Sequence, residues 1–600
     1  MLMCSLPAPA AQALRVSLDG EWLFCRDPGR TGVAQRWYEE SRDRSSWTPV
    51  PAPSFWEEYP GAAGYDGWGW FFRTFELPPG HGPLSVHFAG VDDDATVWVN
   101  GREVGGHTGY SDPFVLDISA ATRPGRNVIV VQVMDHGAGG GIYRPVTVIS
   151  TQAVGDLLRG PLAGTPARTS APWVRDAVIY EVYLRSFSPE GTFEALERRL
   201  PELRDLGVTV LWLMPIHPVG EKGRKGTLGS PYAVRDYHAV NPEFGTMADF
   251  RRLVEATHRL GMKIIIDLVA NHTAWDNPLI TEHPGWYSRG PGGAIVPPND
   301  DWTDVADLDF AQPGLRRWMA DMMLWWVRDV GIDGFRCDVA ELVPTDFWES
   351  VRGELDRVKP VMMLSEGSLP EHHREAFDIT YAWNVYDVLP TLLDGRRPVS
   401  ILDEILKTES LQFPQGSLRM RFATNHDKNA WDEPAVLRYG PEGLRLATVL
   451  VNTLPGVPLI YTGEEVANDR KLSLFEKVEV DWSRPDGMRT LLSTLGALRA
   501  AHPALARGRM TRAASSSPRD VYTFLRHEAD DLVLVALNFA DAPRTVTVTV
   551  PGGEIPPGRS TLRLRDVFSD ARIEVTSGSG ITVAISLGPR GAGVFVPEGR

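Results

Sequence analysis

Cysteine is almost missing from this chain. Its 600 residues contain three, Cys4, Cys25 and Cys337, far apart and without CxxC or zinc-ligand spacing. A disulfide framework is excluded as the main source of stability, and so is a cysteine-built metal centre. No run of about 18 apolar residues occurs, so no membrane span is expected. Positive charge is the minority, 61 Lys and Arg against 77 Asp and Glu, for a net charge of −16. That balance repels phosphate backbones, and a nucleic-acid partner is not expected. Repeats and low-complexity tracts are also missing. What remains is ordinary globular composition, 43% hydrophobic and 23% charged, in a chain too long for one core. Roughly two to four domains are expected.

Small apolar residues dominate the first thirteen positions, MLMCSLPAPAAQA, and Ala11-Gln12-Ala13 has the form of an A-x-A cleavage site. The basic start of an export signal is missing. Residues 1–13 therefore read as a signal-peptide remnant, with export (periplasmic or extracellular) expected and a disordered cytoplasmic N-terminus as the alternative. Residues 14–152 predict a β-sandwich. Leu84, Val86 and Phe88 alternate with Ser85 and His87, Val97 and Val99 precede an Asn100-Gly101 turn, and 127–133 is a β-branched run. Residues 153–172 have the composition of a linker.

From 173 to 482 short apolar strands alternate with helices. Eight strands are expected, at 178–184, 208–214, 262–269, 334–339, 361–366, 377–383, 419–425 and 457–461. Phe250, Leu253, Val254 and Leu260 mark one helical face ended by Gly261, and Leu315, Met319, Met322, Trp326 and Val330 another ended by Gly331. The fold class is α/β: a (β/α)8 TIM barrel flanked by the N-terminal β-sandwich (a jelly roll) and by a second β-sandwich over 483–600. A short inserted loop covers about 274–310.

Such a barrel carries its active site at the C-terminal ends of its strands. Asp267 and Asn271-His272 end the third strand, Arg336 and Asp338 the fourth, Glu366 the fifth and Asn425-His426-Asp427 the seventh. Singly, each has a plain reading as a helix cap, a structural ion pair or a satisfied core histidine. Together they bring acids, an arginine and histidines to one rim, which predicts an enzyme.

The motifs DLVANH (267–272), GFRCDV (334–339), LSEG (364–367) and FATNHD (422–427), in this order, resemble the four short motifs of the alpha-amylase family, glycoside hydrolase family 13. GSPYAVRDY (229–237) and GVPLIYTGEE (456–465) resemble two further motifs of that family. The stretches LDGEWLF, WGWFFRTFELP and VNGREVGGHTGYSDPFVLDI resemble the sugar-binding jelly-roll domain of the beta-galactosidase family. The first resemblance implies a retaining α-glycoside hydrolase acting on α-1,4-linked glucans or maltooligosaccharides. It implies Asp338 as nucleophile, Glu366 as acid/base and Asp427 as the residue holding ring hydroxyls 2 and 3. Substrate contacts are expected from Tyr232, His272, Arg336, His426, Asp267 and Glu341. Asn271 is implied as a calcium ligand; the insertion's Asp276, Asp300, Asp301 and Asp304 suit calcium or plain solvation alike. No redox or nucleotide cofactor is expected, and the partner is a carbohydrate.

The chemistry agrees with these roles. Glycoside cleavage takes one carboxylic acid for the leaving oxygen and a second carboxylate to attack or to activate water. Arg336 and Asp338 leave their strand on the same face, so the guanidinium is expected to keep Asp338 ionised. Glu366 must be protonated, and neighbouring carboxylates and burial would raise its pKa.

Some positions depart from the family pattern. Cys337 stands where an aliphatic residue is usual and reads as a small buried side chain. Glu341 and Leu342 stand where Lys-His is common, on the leaving-group side. Gly229 lies three residues before Tyr232, where exo-acting alpha-glucosidases often carry Asp, and its missing side chain is expected to leave the cleft open beyond the first sugar. Trp286 and Trp302 of the insertion, and Trp68, Trp70 and Phe71 of the N-terminal domain, are either sugar platforms or packing. The alternatives are an α-glucan transglycosylase, a cyclodextrin- or maltooligosaccharide-acting enzyme, or an exo-acting alpha-glucosidase on the same site. A non-catalytic scaffold would lack one of the carboxylates, and the barrel motifs argue against a beta-galactosidase activity.

Overall fold

The computed structural model describes residues 13–598 except 108, 110–112, 136, 138, 485–486, 552–560 and 577–580. The segment read as an export signal lies, Ala13 apart, outside the described residues. The chain divides into two compact units, residues 1–161 and 162–600.

The first unit is a sandwich of two antiparallel sheets. Arg15–Ser17, Val146–Ser150, Leu84–Phe88 and Phe114–Asp117 form one, and Thr48–Ala52, Gly20–Arg26, Gly67–Leu77, Gly125–Asp135, Asp94–Val99 and Arg102–His107 the other. One apolar core between them takes Val86 and Phe88 from the first sheet and Phe71, Val97 and Val131 from the second. Asn100 and Gly101 both have positive φ, 50° and 77°, the conformation a two-residue hairpin turn with right-handed strand twist requires. Trp70 and Phe71 are fully buried, so packing accounts for both. The alternation at 84–88 predicts one wet face, yet Ser85 and His87 are buried as well. Burial lowers the His87 imidazole to about 4.

The second unit contains a closed parallel barrel. Its strands are β1 (Ile179–Val182), β2 (Val210–Leu213), β3 (Lys263–Leu268), β4 (Gly334–Cys337), β5 (Met362–Ser365), β6 (Ile379–Tyr381), β7 (Leu418–Arg421) and β8 (Val457–Tyr461). All eight fall inside the stretches read from the sequence except that β7 begins one residue early. Most are largely apolar because helices or barrel interior cover both faces, with Glu181 in β1, Arg336 in β4 and Arg419 and Arg421 in β7 among the charged exceptions. The helix before β3, Met247–Arg259, starts at a Thr246–Asp249 capping box and stops ahead of Gly261, whose φ of 75° suits glycine.

Two boundaries differ from those expected. Residues 153–172 do not hang free: Ala167 N–H donates to the Gln415 carbonyl, Gln415 N–H to the Thr165 carbonyl, and Arg168 pairs with buried Asp378 at 2.5 Å. Composition signals a linker, but backbone pairing and an ion pair tie its second half to the barrel. The boundary at 482/483 also moves, because helix Gly487–Ala501 packs Leu491 and Leu495 with Leu444 and Leu450 of the helix before β8. β-structure resumes at Arg509–Ser515. There eight strands form one sheet, one of whose apolar faces (Tyr522, Phe524, Val535) packs on those same helices. Among the described residues no helix is long and apolar enough to cross a membrane.

Candidate active site

Strand register brings the polar residues to one level. Asp267 of β3 stands beside Arg336 of β4. Asp338 and Glu366 lie one residue past β4 and β5, fixed by Asp338 N–H to the Leu268 carbonyl (2.9 Å) and Glu366 N–H to the Cys337 carbonyl (3.0 Å). Asp427 sits in helix His426–Trp431 after β7, whose N-terminus Asn425 caps by accepting from Lys428 N–H.

Arg336 is the hub. Its Nη1 lies 2.9 Å from Asp267 Oδ1 and 3.0 Å from Asp338 Oδ1. Its Nη2 lies 2.7 Å from Glu366 Oε2, an ion pair whose N–H is not aimed at the oxygen. The rings of Trp212, Tyr232 and Tyr381 have their centroids 5.2–5.8 Å from the guanidinium carbon, and Tyr381 Oη accepts from Nε at 3.2 Å. Burial alone would lower the Arg336 pKa, but the facing carboxylates, Asp267 first, more than reverse this.

Three carboxylates on one guanidinium leave the cluster short of positive charge. Burial and then repulsion from Glu366 push the Asp338 carboxyl well above the usual range. Burial, with Asp427 adding to it against Arg336, raises Glu366 too. The rise at Glu366 is the expected one. Arg336 acts on Asp338 in the expected direction, favouring its ionised form, but burial and the neighbouring carboxylates outweigh it. Glu366 Oε2 also accepts from Val339 N–H at 2.7 Å. Val339 holds the left-handed conformation, φ 37°, which a β-branched residue adopts only under strain.

A second network runs from Asp267 to Asp427. Tyr232 Oη donates to Asp267 Oδ2 (3.1 Å) and lies 2.7 Å from His426 Nε2, which lies 3.3 Å from Asp427 Oδ1. On its other side His426 Nδ1 is 2.5 Å from Glu181 Oε1. Sequence reading missed Glu181. Its signal was there: one acid inside the apolar run VIYEVYL. His272 Nε2 lies 4.0 Å from Asp338 Oδ2, and burial lowers this imidazole to about 4, so it is neutral.

Two expected residues do not join the cluster. Glu341 is exposed and its carboxylate accepts from Ser368 N–H. Asn271 turns its amide to Asp307 Oδ1 at 3.4 Å. Of the insertion's acids, Asp304 pairs with Lys225 (3.2 Å) and Asp276 with Arg235 (3.6 Å). Among the described residues no three of His, Cys, Asp or Glu converge as a metal cage. Gly229 also changes meaning. Its φ is 74°, and a Cβ there would press on Val219 and Arg224 at 2.8 and 2.9 Å. The turn, rather than an open cleft, accounts for the glycine. Trp302 reaches the site through His272, their rings 5.5 Å apart, while Trp286 stacks on His283 at 3.9 Å.

A closed (β/α)8 barrel with this rim of carboxylates defines a class, and comparison with known proteins places the chain within it. The alpha-amylase catalytic-domain profile matches residues 156–284, and the sugar-binding domain profile of glycosyl hydrolases family 2 matches 15–149. The crystal structure of a noncanonic maltogenic alpha-amylase, AmyB from Thermotoga neapolitana, superposes with a TM-score of 0.64 at 32% identity, over 70% of this chain and 99% of that one. The alpha-amylase MalA of Haloarcula japonica is 30% identical over 409 residues, 64% of this chain and 59% of its own. The cyclomaltodextrin glucanotransferase of Geobacillus stearothermophilus is 28% identical over 439 residues, 66% of this chain and 60% of its own. The chain belongs to the alpha-amylase family. It spans less than two thirds of the length of these curated relatives.

Proposed function

We propose that this protein is a retaining α-glycoside hydrolase acting on α-1,4-linked glucans or maltooligosaccharides. The observation that carries the reading is the pair Asp338 and Glu366 at the two ends of one guanidinium. Carboxylates gathered this closely favour the narrow spacing of double displacement over the wide spacing that seats a water for inversion. Asp338 attacks the anomeric carbon while Glu366 gives its proton to the departing glycosidic oxygen. Glu366, now ionised, takes a proton from water, which attacks the glycosyl–Asp338 ester and releases the α-anomer. Arg336 favours the ionised form of Asp338 that attacks. Asp427 holds hydroxyls of the reacting sugar and counts most at the oxocarbenium-like transition state.

Proton NMR of the first product tests this. The α-anomer is expected before mutarotation, and initial β-anomer rules the mechanism out. Products longer than the substrate would instead assign glycosyl transfer, in which a sugar replaces water in the second step.

A further inference from the structure

We infer that Trp431 is a sugar-stacking platform, a subsite of the cleft beyond the residues that perform the cleavage. The inference rests on the α-glucan reading above. Trp431 is 60% exposed, whereas no other tryptophan is among the large side chains left exposed in the described residues. Single exposed apolar residues are common and prove nothing alone. Placement carries the argument.

Trp431 is the last residue of the helix that holds Asp427, four positions on. Residues so spaced share a face with Cβ atoms about 5–6 Å apart, and side chains on a helix lean toward its N-terminus, here toward Asp427. The indole packs against Phe475 in a T-shaped contact, with ring centroids 5.8 Å apart at 64°. Its own carbonyl accepts from Lys471 Nζ at 3.3 Å. Phe475 is in turn tied to the segment bearing Tyr232, since its carbonyl accepts from Leu228 N–H at 3.0 Å. A large flat ring, more than half exposed, thus sits on the helix of one site residue and against a loop bonded to another's segment. An aromatic face covers the C–H face of a pyranose at little entropic cost, so the occupant is a glucose unit of a bound chain, outside the one being cleaved.

The test uses the full chain with Trp431→Ala and Trp431→Phe. The ratio of kcat/KM on maltoheptaose to that on maltotriose is expected to fall about tenfold in Trp431→Ala and to recover largely in Trp431→Phe, in keeping with one lost ring contact. Calorimetry of maltoheptaose on Glu366→Gln, with and without Trp431→Ala, should show a matching loss of affinity without turnover. Wild-type ratio and affinity in Trp431→Ala would overturn the platform and leave the reaction assignment standing. If the wild-type protein cleaves none of the series, the reaction assignment has failed, and the calorimetric comparison still decides the platform.

Discussion

Glu181 and His426 meet at 2.5 Å beneath the reaction centre, both buried, one from β1 and the other from the helix after β7. Burial disfavours the imidazolium, but the Asp427 and Glu181 carboxylates outweigh it and raise His426 to about 9. Arg336 opposes them from β4, while Tyr232 and the Trp212 ring complete its surroundings. Because the folded value lies above the ordinary 6.5, the imidazolium contributes stability that is full below 6.5 and lost as pH rises through about 9. Removing the Glu181 charge lowers the His426 pKa. In Glu181→Gln the His426 imidazole, followed by NMR, should titrate at lower pH by about one unit or more, with Glu181→Asp in between. An unmoved His426 titration would mean that Glu181 serves packing alone.

Arg336 offers a second test. Its loss leaves Asp267, Asp338 and Glu366 buried without a cation, and breaking a buried pair in this way costs about 3–5 kcal/mol. Arg336→Ala should show that loss in urea unfolding and a fall in kcat of at least about a hundredfold. Arg336→Lys should recover part of the stability but little of kcat, since an ammonium cannot span the carboxylates as a planar fork does. Equal kcat in Arg336→Lys and wild type would contradict the bridging role.

Eight strands and the rim of acids were legible because periodicity and motif order record them directly. The Arg168–Asp378 anchor was not, as its partners lie 210 residues apart and composition reports only local chain preference. Gly229 misled for a related reason: a missing side chain looks the same whether a substrate or a backbone turn requires it. Glu181 was visible as one polar residue in an apolar strand, but only the fold shows that His426 faces it.

The anchor leads to a third prediction. A chain beginning at Leu162 keeps Thr165, Ala167 and Arg168 and should fold with activity on short maltooligosaccharides. A chain beginning at residue 170 loses them, and Arg168→Ala in the full chain should cost about 1–2 kcal/mol, since Arg352 still pairs with Asp378, with kcat unchanged. Equal thermal stability of the two truncated chains would show the anchor to be weak.

Removal of metal gives a fourth. With Asp304 and Asp276 paired to Lys225 and Arg235, dialysis against EDTA should leave Tm and turnover unchanged. A Tm drop restored by calcium and not by magnesium would show a calcium site that the side chains around Asn271 do not reveal.

The central claim is that Asp338 forms a covalent bond to the sugar. A 5-fluoro-α-maltosyl fluoride has a good leaving group and a fluorine that slows hydrolysis of the ester, so the intermediate accumulates. After brief incubation and proteolysis, mass spectrometry should find one glycosyl adduct, on the peptide containing Asp338, and none in Asp338→Asn. An adduct on Glu366 or Asp427, or turnover of the reagent by the Asp338→Asn protein at the wild-type rate, would contradict the account.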